Sequence, residues 1–415
     1  MLTLIEVLNY RCLRYVRQPL GAFHVLVGPN ASGKTTFLDV PAFLGELVSQ
    51  GLDKTIESRS TNIQDLFFNH LGDKFELAIE AKIPDKLRLK LSNKELNIIR
   101  YEVAIGLDHN TKEIAILAES VLLKKQIQNQ IVQRKLFPIS LDPPNTILSK
   151  RGVKNLKTVV NKILGGNDNF YDETGKGWDH AFKLGPRKSA LANLPDDESK
   201  FPVSSWFKKM LQTGIQRFIL NSQVIRKASP PIQIHGFKPD GSNLPWVVSD
   251  LIKKYPIRIK DWVKHLKTAL PDLEDIRTIE RADDKHQYLT LCYKGGLEIP
   301  SWMASDGTLR LLALTLPAYL IDFGGIYLIE EPENGIHPRA VETMFQSLQS
   351  VYDAQILMAT HSTVILNMVD LDKLLCFAKT KEGASDIVLG KEHPALKDWR
   401  GQPNLSILFG AGVLG

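Results

Sequence analysis

The sequence predicts an α/β fold in which a parallel sheet is covered by helices. From Ser305 onward, helical segments alternate with short apolar strands at Ile326–Ile329, Ile356–Ala359 and Leu374–Ala378. This alternation is typical of parallel sheets, because parallel strands must be joined by crossover connections. Near the other end, the apolar strand His24–Val27 runs into a glycine-rich turn and then into a helix.

Composition supports a globular chain and argues against several other classes. Of 415 residues, 43% are hydrophobic and 24% charged, which allows two or three domains. The N-terminus lacks the apolar core of a signal peptide. The most apolar window, Leu309–Ile329, is interrupted by Arg310 and Pro317, so we expect a buried helix and strand rather than a membrane span. Three dispersed cysteines favour a reducing compartment, and we expect a cytoplasmic protein with no membrane partner.

Further elements follow from hydrophobic periodicity. Alternation predicts strands at Leu4–Leu8, Phe75–Ile83 and Tyr101–Leu107, the last two antiparallel. Helical periodicity predicts helices from about Lys34 towards Val48, over Leu251–Leu270 and over Ala340–Tyr352. Gly295-Gly296 separates Tyr288–Tyr293 from Leu297–Ile299, which predicts a hairpin.

The stretch GPNASGKTT, from Gly28 to Thr36, has the spacing G-x-x-x-x-G-K-[ST] between a predicted strand and a predicted helix. In such a loop, glycines let successive backbone N–H groups converge on phosphate oxygens, and the helix N-terminus adds its dipole. Lys34 is placed to reach the β- and γ-phosphates, and the Thr35 hydroxyl to bind Mg²⁺. The pattern therefore predicts a nucleotide triphosphate site.

Two carboxylates, Glu330 and Glu331, follow the apolar strand in IYLIEEPENGIHP. Ligands of open α/β sheets lie at the carboxyl ends of strands, so one carboxylate can hold Mg²⁺ and the other can activate water. Adjacent strand residues point in opposite directions, which gives the two different parts. His361, in ATHS, ends the next predicted strand and is a candidate γ-phosphate contact.

A polar turn, Ser305-Asp306-Gly307, begins the helix of SDGTLRLLAL. Ser and Asp are favoured N-cap residues, so local capping explains the turn by itself. The same N-terminus can also face an anion.

These four motifs occur in an order that resembles the ABC-type ATPase head, in particular the RecF/SMC/OLD-like soluble branch that includes stand-alone ATPases of bacterial anti-phage systems. Asn9-Tyr10-Arg11, before the first loop, resembles that branch too. The resemblance implies an ABC-type head with a parallel sheet core, an antiparallel β subdomain and a mixed, largely helical insert. It also implies ATP and Mg²⁺ as ligands.

By resemblance, the catalytic residues would be Lys34, Glu331 as general base and His361 as switch histidine, and Mg²⁺ would be held by Thr35 and Glu330. Asn334-Gly335 would begin the D-loop. The predicted nucleotide-binding residues are Gly28, Pro29, Asn30, Ala31, Ser32, Gly33, Lys34, Thr35 and Thr36, together with Ser305, Asp306 and Gly307 as the signature turn. In this family the signature turn binds the γ-phosphate held by the other protomer, which implies a homodimer or a higher homo-oligomer.

Two positions depart from the family pattern, and the role of a third has an alternative explanation. Glu330 stands where transporter ATPases have Asp, and Ala31 stands where the loop usually has glycine. Gln64, in NIQDLFF, is a candidate Q-loop residue for nucleotide and Mg²⁺, and a plain surface glutamine explains it equally well.

The resemblance covers the two ends of the chain. We therefore expect four parts: the N-terminal head segment 1–68, an insert at 69–285 with antiparallel strands and basic mixed sequence, the C-terminal head segment 286–390, and a tail at 391–415.

A basic stretch lies within this insert, between Lys124 and Lys162. From Val121 to Gly165 there are nine Lys or Arg against one acid, Asp142. Nucleic acid is one explanation, and a solvated surface or an acidic protein partner is the other. Aromatic residues are not interleaved with the cations in the way that base stacking requires, which weakens the first explanation.

The resemblance favours an ATPase that dimerises on ATP and controls a DNA-directed, nuclease or toxin effector, in anti-phage defence or DNA repair. One alternative is an ATP-binding sensor or scaffold with little hydrolysis that holds a toxin. A transporter subunit is less consistent with the sequence, because about 270 residues separate the glycine-rich loop from the signature turn.

Overall fold

A computed structural model describes residues 1–126, 134–150, 155–175, 177, 179–231, 236–321, 323–397 and 404–414. Its strands are β1 (Leu2–Tyr10), β2 (Leu13–Pro19), β3 (Phe23–Val27), β4 (Lys74–Lys82), β5 (Ile98–Leu107), β6 (Ile114–Lys124), β7 (Leu156–Ile163), β8 (Asp168–Phe170), β9 (His180–Phe182), β10 (Ile215–Phe218), β11 (Leu273–Glu280), β12 (Gln287–Tyr293), β13 (Leu297–Pro300), β14 (Gly325–Glu330), β15 (Ala354–Ala359), β16 (Leu374–Lys379) and β17 (Ser385–Leu389). Its helices are α1 (Lys34–Gln50), α2 (Leu52–Glu57), α3 (Asp85–Arg88), α4 (Pro202–Thr213), α5 (Ser222–Ile225), α6 (Leu244–Lys254), α7 (Pro256–Leu266), α8 (Asp306–Thr315), α9 (Pro338–Gln349), α10 (Thr363–Leu366), α11 (Pro394–Lys397) and α12 (Leu405–Gly410).

The chain divides into two compact units. Unit 1 comprises Met1–Ile215, Leu371–Pro403 and Leu408–Gly415, and unit 2 comprises Gln216–Asp370 and Asn404–Ile407. The Gly28–Thr36 loop belongs to unit 1. The signature turn, the Glu330-Glu331 pair and His361 belong to unit 2.

Unit 1 is built on an eight-stranded antiparallel sheet in the order β2-β1-β4-β5-β6-β7-β8-β9. Helix α1 packs beside it, and aromatic rings fill the space between them: Tyr10, Phe43 and Phe75 are fully buried with ring centroids 5.0–5.8 Å apart. Strand β3 pairs in parallel with β16, and β17 continues antiparallel from β16. The predicted strands at Phe75–Ile83 and Tyr101–Leu107 are confirmed as the antiparallel pair β4 and β5.

Unit 2 combines a parallel strand pair with a small antiparallel sheet. Strands β14 and β15 pair in parallel, with Glu330 opposite Ala359, and the three-stranded sheet has the order β11-β12-β13. The predicted hairpin around Gly295-Gly296 is confirmed as β12 and β13. Helix α7 packs against α8 through the buried Trp262, whose indole N–H donates to Thr315 Oγ1 over 2.9 Å.

The α/β class is confirmed, and two details differ from the sequence prediction. Segment 69–285 is rich in strands: β4 to β9 lie in its first part, and helices α4 to α7 predominate in its second. The single helix predicted over Leu251–Leu270 is two helices that break at Tyr255-Pro256. Tyr255 precedes a proline, which disfavours helical backbone at that residue.

The apolar window Leu309–Ile329 forms helix α8, a 3-10 turn at Leu316–Tyr319 and strand β14, as predicted. In the part of the chain that the structure describes, no helix is both long enough and apolar enough to cross a membrane.

Candidate functional site

The Gly28–Thr36 loop connects β3 to α1, and its two outer glycines are required by their surroundings. Gly28 has φ 151° and Gly33 has φ 103°. A Cβ atom on Gly28 would lie 2.3 Å from the backbone oxygen of Phe377, and one on Gly33 would lie 2.2 Å from Ser385 Oγ. Ala31, at the position where glycine is usual, also has a positive φ of 60°. The backbone is therefore curled along the loop, with residues 29–31 exposed at its rim.

Groups suited to a triphosphate line this loop. Lys34 is buried, and its Nζ donates to the backbone oxygens of Gly28 over 2.7 Å and Pro29 over 2.9 Å. The buried Ser32 Oγ has no hydrogen-bond partner among the described residues. Among the residues that the structure describes, no side chain caps the N-terminus of α1. An unsatisfied hydroxyl, a lysine and a helix N-terminus without a side-chain cap fit an anionic ligand.

Glu330 and Glu331, at the end of β14, are both exposed, and their backbones adopt different conformations. Glu330 is the last strand residue, whereas Glu331 has a positive φ of 46°, which non-glycine residues seldom adopt. The Glu331 N–H still donates to the Ala359 oxygen over 2.8 Å. Its side chain accepts a hydrogen bond from Asn334 Nδ2 at Oε2 over 2.6 Å. Glu331 is therefore turned out of the strand and held by Asn334.

His361 lies next to this carboxylate. Its Nε2 atom is 4.0 Å from Glu331 Oε1. The backbone at His361 is fixed by Glu333, whose Oε1 accepts hydrogen bonds from the His361 N–H over 2.9 Å and from the Thr360 hydroxyl over 2.6 Å. The other oxygen of Glu333, Oε2, is buried and has no partner among the described residues. Glu331, Asn334, Glu333 and His361 thus form one connected group.

The signature turn is capped as the sequence predicts and lies against the segment after Glu331. Ser305 is the N-cap of α8, and its side chain accepts from the Thr308 N–H over 3.1 Å. A Cβ on Gly307 would lie 2.4 Å from the Gly335 oxygen. One turn further along α8, Arg310 Nη1 donates to the Asn334 oxygen over 2.6 Å. The start of α8 is therefore in contact with residues 334 and 335.

Asp306, the second residue of the signature turn, is already engaged. Its Oδ1 accepts from Arg226 Nη2 and, over 3.1 Å, from Arg226 Nε. Arg226 Nη1 also donates to the Trp302 oxygen over 3.2 Å. A guanidinium group thus lies at the N-terminus of α8.

Gln64 lies in the 3-10 turn Ile63–Leu66 of unit 1 with an exposed side chain. Its backbone N–H donates to Asn62 Oδ1 over 3.1 Å. These contacts involve its main chain, and its part in nucleotide binding stays a prediction.

Many cations of the basic stretch have partners within unit 1. Lys124 pairs with Glu80 over 2.6 Å, and the buried Lys162 pairs with Asp168 over 2.7 Å. Lys125 and Arg134 are also in ion pairs, and Lys157 Nζ donates to the Glu173 oxygen over 2.9 Å. Lys135 and Lys150 are exposed, whereas Arg151 and Lys154 lie outside the described residues. Much of the apparent positive charge is therefore neutralised internally.

No group of three or more His, Cys, Asp or Glu side chains arranged to hold a metal ion occurs among the described residues. This is compatible with Mg²⁺, which commonly takes one or two protein oxygens and completes its shell with substrate phosphates and water. Thr35, at the start of α1 in unit 1, and Glu330, at the end of β14 in unit 2, each carry a side-chain oxygen of the suitable kind.

Sequence reasoning left three residues of this site without a role. Glu333 was visible as the third acid in EEPE, directly after a proline. Arg310 was noted only as an interruption of an apolar window. Arg226 lies in an unremarkable segment 80 residues before Asp306, and no local pattern could have connected the two.

A family model described as "AAA domain, putative AbiEii toxin, Type IV TA system" matches residues 23–367. The chain belongs to this family. The matched range of this AAA-domain protein includes the loop, the signature turn, both carboxylates and His361, and the match confirms the predicted relation to stand-alone AAA-type ATPases. No curated protein matches its sequence.

Solved SMC head domains resemble the AAA-domain protein in fold. An Smc head bound to the C-terminal winged-helix domain of ScpA is 13% identical, with a TM-score of 0.49 over 93% of this chain and 97% of that one. An Smc head with an extended coiled coil, bound to the C-terminal domain of ScpA from Pyrococcus furiosus, is 12% identical, with a TM-score of 0.49 over 93% and 95%. The SMC head from Thermotoga maritima is 12% identical, with a TM-score of 0.39 over 94% and 98%. At these identities the likeness concerns the fold alone.

Proposed function

We propose that this chain binds ATP with Mg²⁺ and hydrolyses it, and that two copies associate when ATP is bound. The observation that carries the proposal is the arrangement at Glu331. An exposed carboxylate at the end of a parallel strand is turned outward by a positive φ, held by Asn334 and placed 4.0 Å from His361. A carboxylate held in this way, with a free oxygen directed to a histidine, suits proton abstraction from water.

Each residue then has a separate part in the proposed reaction. The Gly28–Thr36 loop holds the phosphates. Lys34 Nζ, which donates to the backbone oxygens of Gly28 and Pro29, would donate to the β- and γ-phosphates instead. Thr35 and Glu330 would hold Mg²⁺, which neutralises phosphate charge when bound. Glu331 accepts the proton of the attacking water, and His361 orients that water or the γ-phosphate. Positioning and charge stabilisation supply most of the catalysis in phosphoryl transfer, and the proposed contacts provide both.

The signature turn supports a dimer with shared sites. Ser305 and Asp306 are exposed at the N-terminus of a ten-residue helix, where N–H groups and the dipole favour an anion. A phosphate held in the loop of a second copy is such an anion. Two identical sites related by a two-fold axis give a closed, isologous dimer in which ATP lies in the interface.

The family description supports the biological setting. Its words name a toxin and a Type IV toxin–antitoxin system. We propose that this chain controls a toxin or nuclease effector protein, in anti-phage defence, and that its ATP state is the signal. Nucleic acid is a weaker candidate partner, because Lys124, Arg134 and Lys162 are already paired. A sensor that binds ATP with little hydrolysis is the second candidate. The proposed phosphate-binding loop precedes α1, whereas Glu331 and His361 follow β14 and β15, so ATP binding does not require the residues that would hydrolyse it.

The proposed function is tested with two variants and their matched controls. Lys34→Ala should abolish binding of a fluorescent ATP analogue, whereas Lys54→Ala, an exposed lysine on α2, should not. Glu331→Gln should bind ATP, fail to hydrolyse it and accumulate as a dimer in light scattering, and Glu342→Gln on α9 should behave as the wild type. A monomeric Glu331→Gln at saturating ATP would refute the shared-site dimer. If the wild type dimerises with ATP but does not hydrolyse it, the result would favour the ATP-binding sensor.

A further inference from the structure

A pocket lined by positive charge lies beside the signature turn. Its volume is about 480 Å³, and its charged and aromatic lining consists of Arg226, Lys227, Arg281, His286, Asp284 and Trp302. Three of these side chains are permanently cationic and one is acidic. Trp302 is 45% exposed although it is a large aromatic residue. A concave, cationic site with an exposed aromatic rim is suited to a phosphate-bearing ligand.

Arg226 connects this pocket to the signature turn. Its guanidinium donates twice to Asp306 Oδ1 and once to the Trp302 oxygen. Its own backbone oxygen accepts from the Ser301 hydroxyl over 3.0 Å. Arg226 is 25% exposed and Asp306 54% exposed, so the pair is open to solvent. Arg226 is therefore held by both its side chain and its main chain next to the N-terminus of α8.

The charge of Asp306 affects how an anion can approach the N-terminus of α8. A carboxylate in the first turn stabilises its own helix, but it repels an anion approaching the same N-terminus. Arg226 offsets that repulsion through its hydrogen bonds to Asp306. Because an exposed ion pair contributes little to stability, the pair can exchange its carboxylate for a more highly charged phosphate at small cost.

We propose that Arg226 contacts, in trans, a phosphate of the ATP held by a second copy, and that Asp306 keeps its guanidinium ready for that contact. The inference rests on the proposed shared-site dimer and adds a catalytic residue to it. The planar guanidinium can bind two phosphate oxygens at once, which a lysine cannot do. Lys227 adds positive potential around the incoming triphosphate, whereas Arg281 is paired with Asp284 over 3.7 Å.

A purely structural role of the Arg226–Asp306 pair predicts different ATPase activities for its variants. If Arg226 serves only to neutralise Asp306, then Arg226→Ala is harmful because a bare carboxylate remains, and adding Asp306→Asn should restore activity. If Arg226 contacts phosphate, the double variant stays defective. Asp306→Asn alone should lower the rate less than Arg226→Ala does, because Arg226 remains but loses the carboxylate that holds its guanidinium. Arg226→Lys should recover only part of the rate.

Mixing experiments separate trans from cis action. Arg226→Ala, Ser305→Arg and Lys34→Ala are each expected to reduce ATPase activity, by roughly a hundredfold for Arg226→Ala. In a mixed dimer of Arg226→Ala with Lys34→Ala, one site has an intact loop facing an intact Arg226. Equal mixing should restore about one quarter of the wild-type rate, because about half of the dimers are mixed and each has one complete site. A thermal melt of each variant verifies folding, and Arg277→Ala, an exposed arginine on β11, is the matched control.

The mixture of Ser305→Arg with Lys34→Ala reports on the shared-site dimer itself. Recovery in both mixtures supports the role of Arg226 in trans. Recovery with Ser305→Arg but not with Arg226→Ala overturns the inference and leaves the proposed function standing. Recovery in neither mixture overturns the shared-site dimer and the inference with it.

Discussion

The side-chain amide of Asn334 donates a hydrogen bond to Glu331 Oε2 over 2.6 Å, which leaves Oε1 of that carboxylate 4.0 Å from His361 Nε2. One oxygen of Glu331 is thus occupied by an orienting contact and the other is directed to the histidine. Asn334 is also joined to α8 through its backbone oxygen and Arg310. The orientation of the proposed base therefore depends on a residue three positions further along the chain.

Asn334→Ala should lower kcat without weakening ATP binding. The substitution removes the donor to Glu331 Oε2, so the exposed carboxylate loses its fixed orientation. A misplaced general base costs roughly 10²-fold in rate. Steady-state hydrolysis and analogue binding measure the two effects separately. Asn334→Asp, which replaces the donor by a second carboxylate, should be at least as defective. An unchanged kcat in Asn334→Ala would show that Asn334 does not orient the base.

Glu333→Gln should reduce hydrolysis while leaving the chain folded. Glu333 Oε1 accepts from the Thr360 hydroxyl and the His361 N–H, and Gln can accept only at its single carbonyl oxygen. The amide nitrogen of Gln must then occupy the buried place of Oε2. We expect kcat to fall about tenfold with KM close to that of the wild type, because a neutral acceptor holds the Thr360 hydroxyl and the His361 N–H less strongly than a carboxylate does. We expect a lower melting temperature, because the amide N–H groups are buried where Oε2 has no partner among the described residues. Glu333→Ala is the harsher variant, and a loss confined to its melting temperature would indicate a structural role only.

Gly307→Ala should uncouple the signature turn from the residues after Glu331. A Cβ at this position would lie 2.4 Å from the Gly335 oxygen, so α8 or residues 334–335 must shift. Forcing a methyl group into such a contact typically costs about 1–3 kcal/mol. We expect loss of ATP-dependent dimerisation and lower kcat, with analogue binding retained. Gly324→Ala, whose Cβ would have its nearest contact at 3.7 Å, is the control and should behave as the wild type. Equal behaviour of the two variants would contradict the close-contact argument.

Local sequence patterns predicted the elements that carry the site. The start of α1 at Lys34, the hairpin around Gly295-Gly296 and the cap at Ser305 all follow from neighbouring residues. Short-range signals suffice for such features, because turn chemistry and capping act within a few positions.

The contacts between distant segments could not be predicted in this way. Lys124 was counted as part of a basic surface, yet it pairs with Glu80, 44 residues earlier, across strands of the large sheet. Arg226 meets Asp306 over a separation of 80 residues. Charge composition reports how many cations a segment has, and only the fold decides whether each faces solvent or a carboxylate. The same reason limits what the sequence predicts about nucleic-acid binding.

The stability of unit 1 should depend on pH through His24, which precedes the loop on β3. His24 is 4% exposed, its Nε2 accepts from the Gly21 N–H over 2.7 Å, and its Nδ1 lies 3.2 Å from the Lys373 oxygen. This geometry fits a neutral ring with its proton on Nδ1. Burial lowers the pKa of His24 below the ordinary value of 6.5.

Since the folded pKa is the lower one, the unfolded chain binds a proton more readily as pH falls below about 6.5. The contribution of neutral His24 to folding is therefore complete above that pH and is lost as pH falls towards the folded pKa. The expected loss is up to about 1.4 kcal/mol for each pH unit in that window. Urea unfolding between pH 5 and pH 8 measures it, and His24→Gln should flatten this part of the profile. A wild-type profile parallel to that of His24→Gln would assign the pH dependence to other groups.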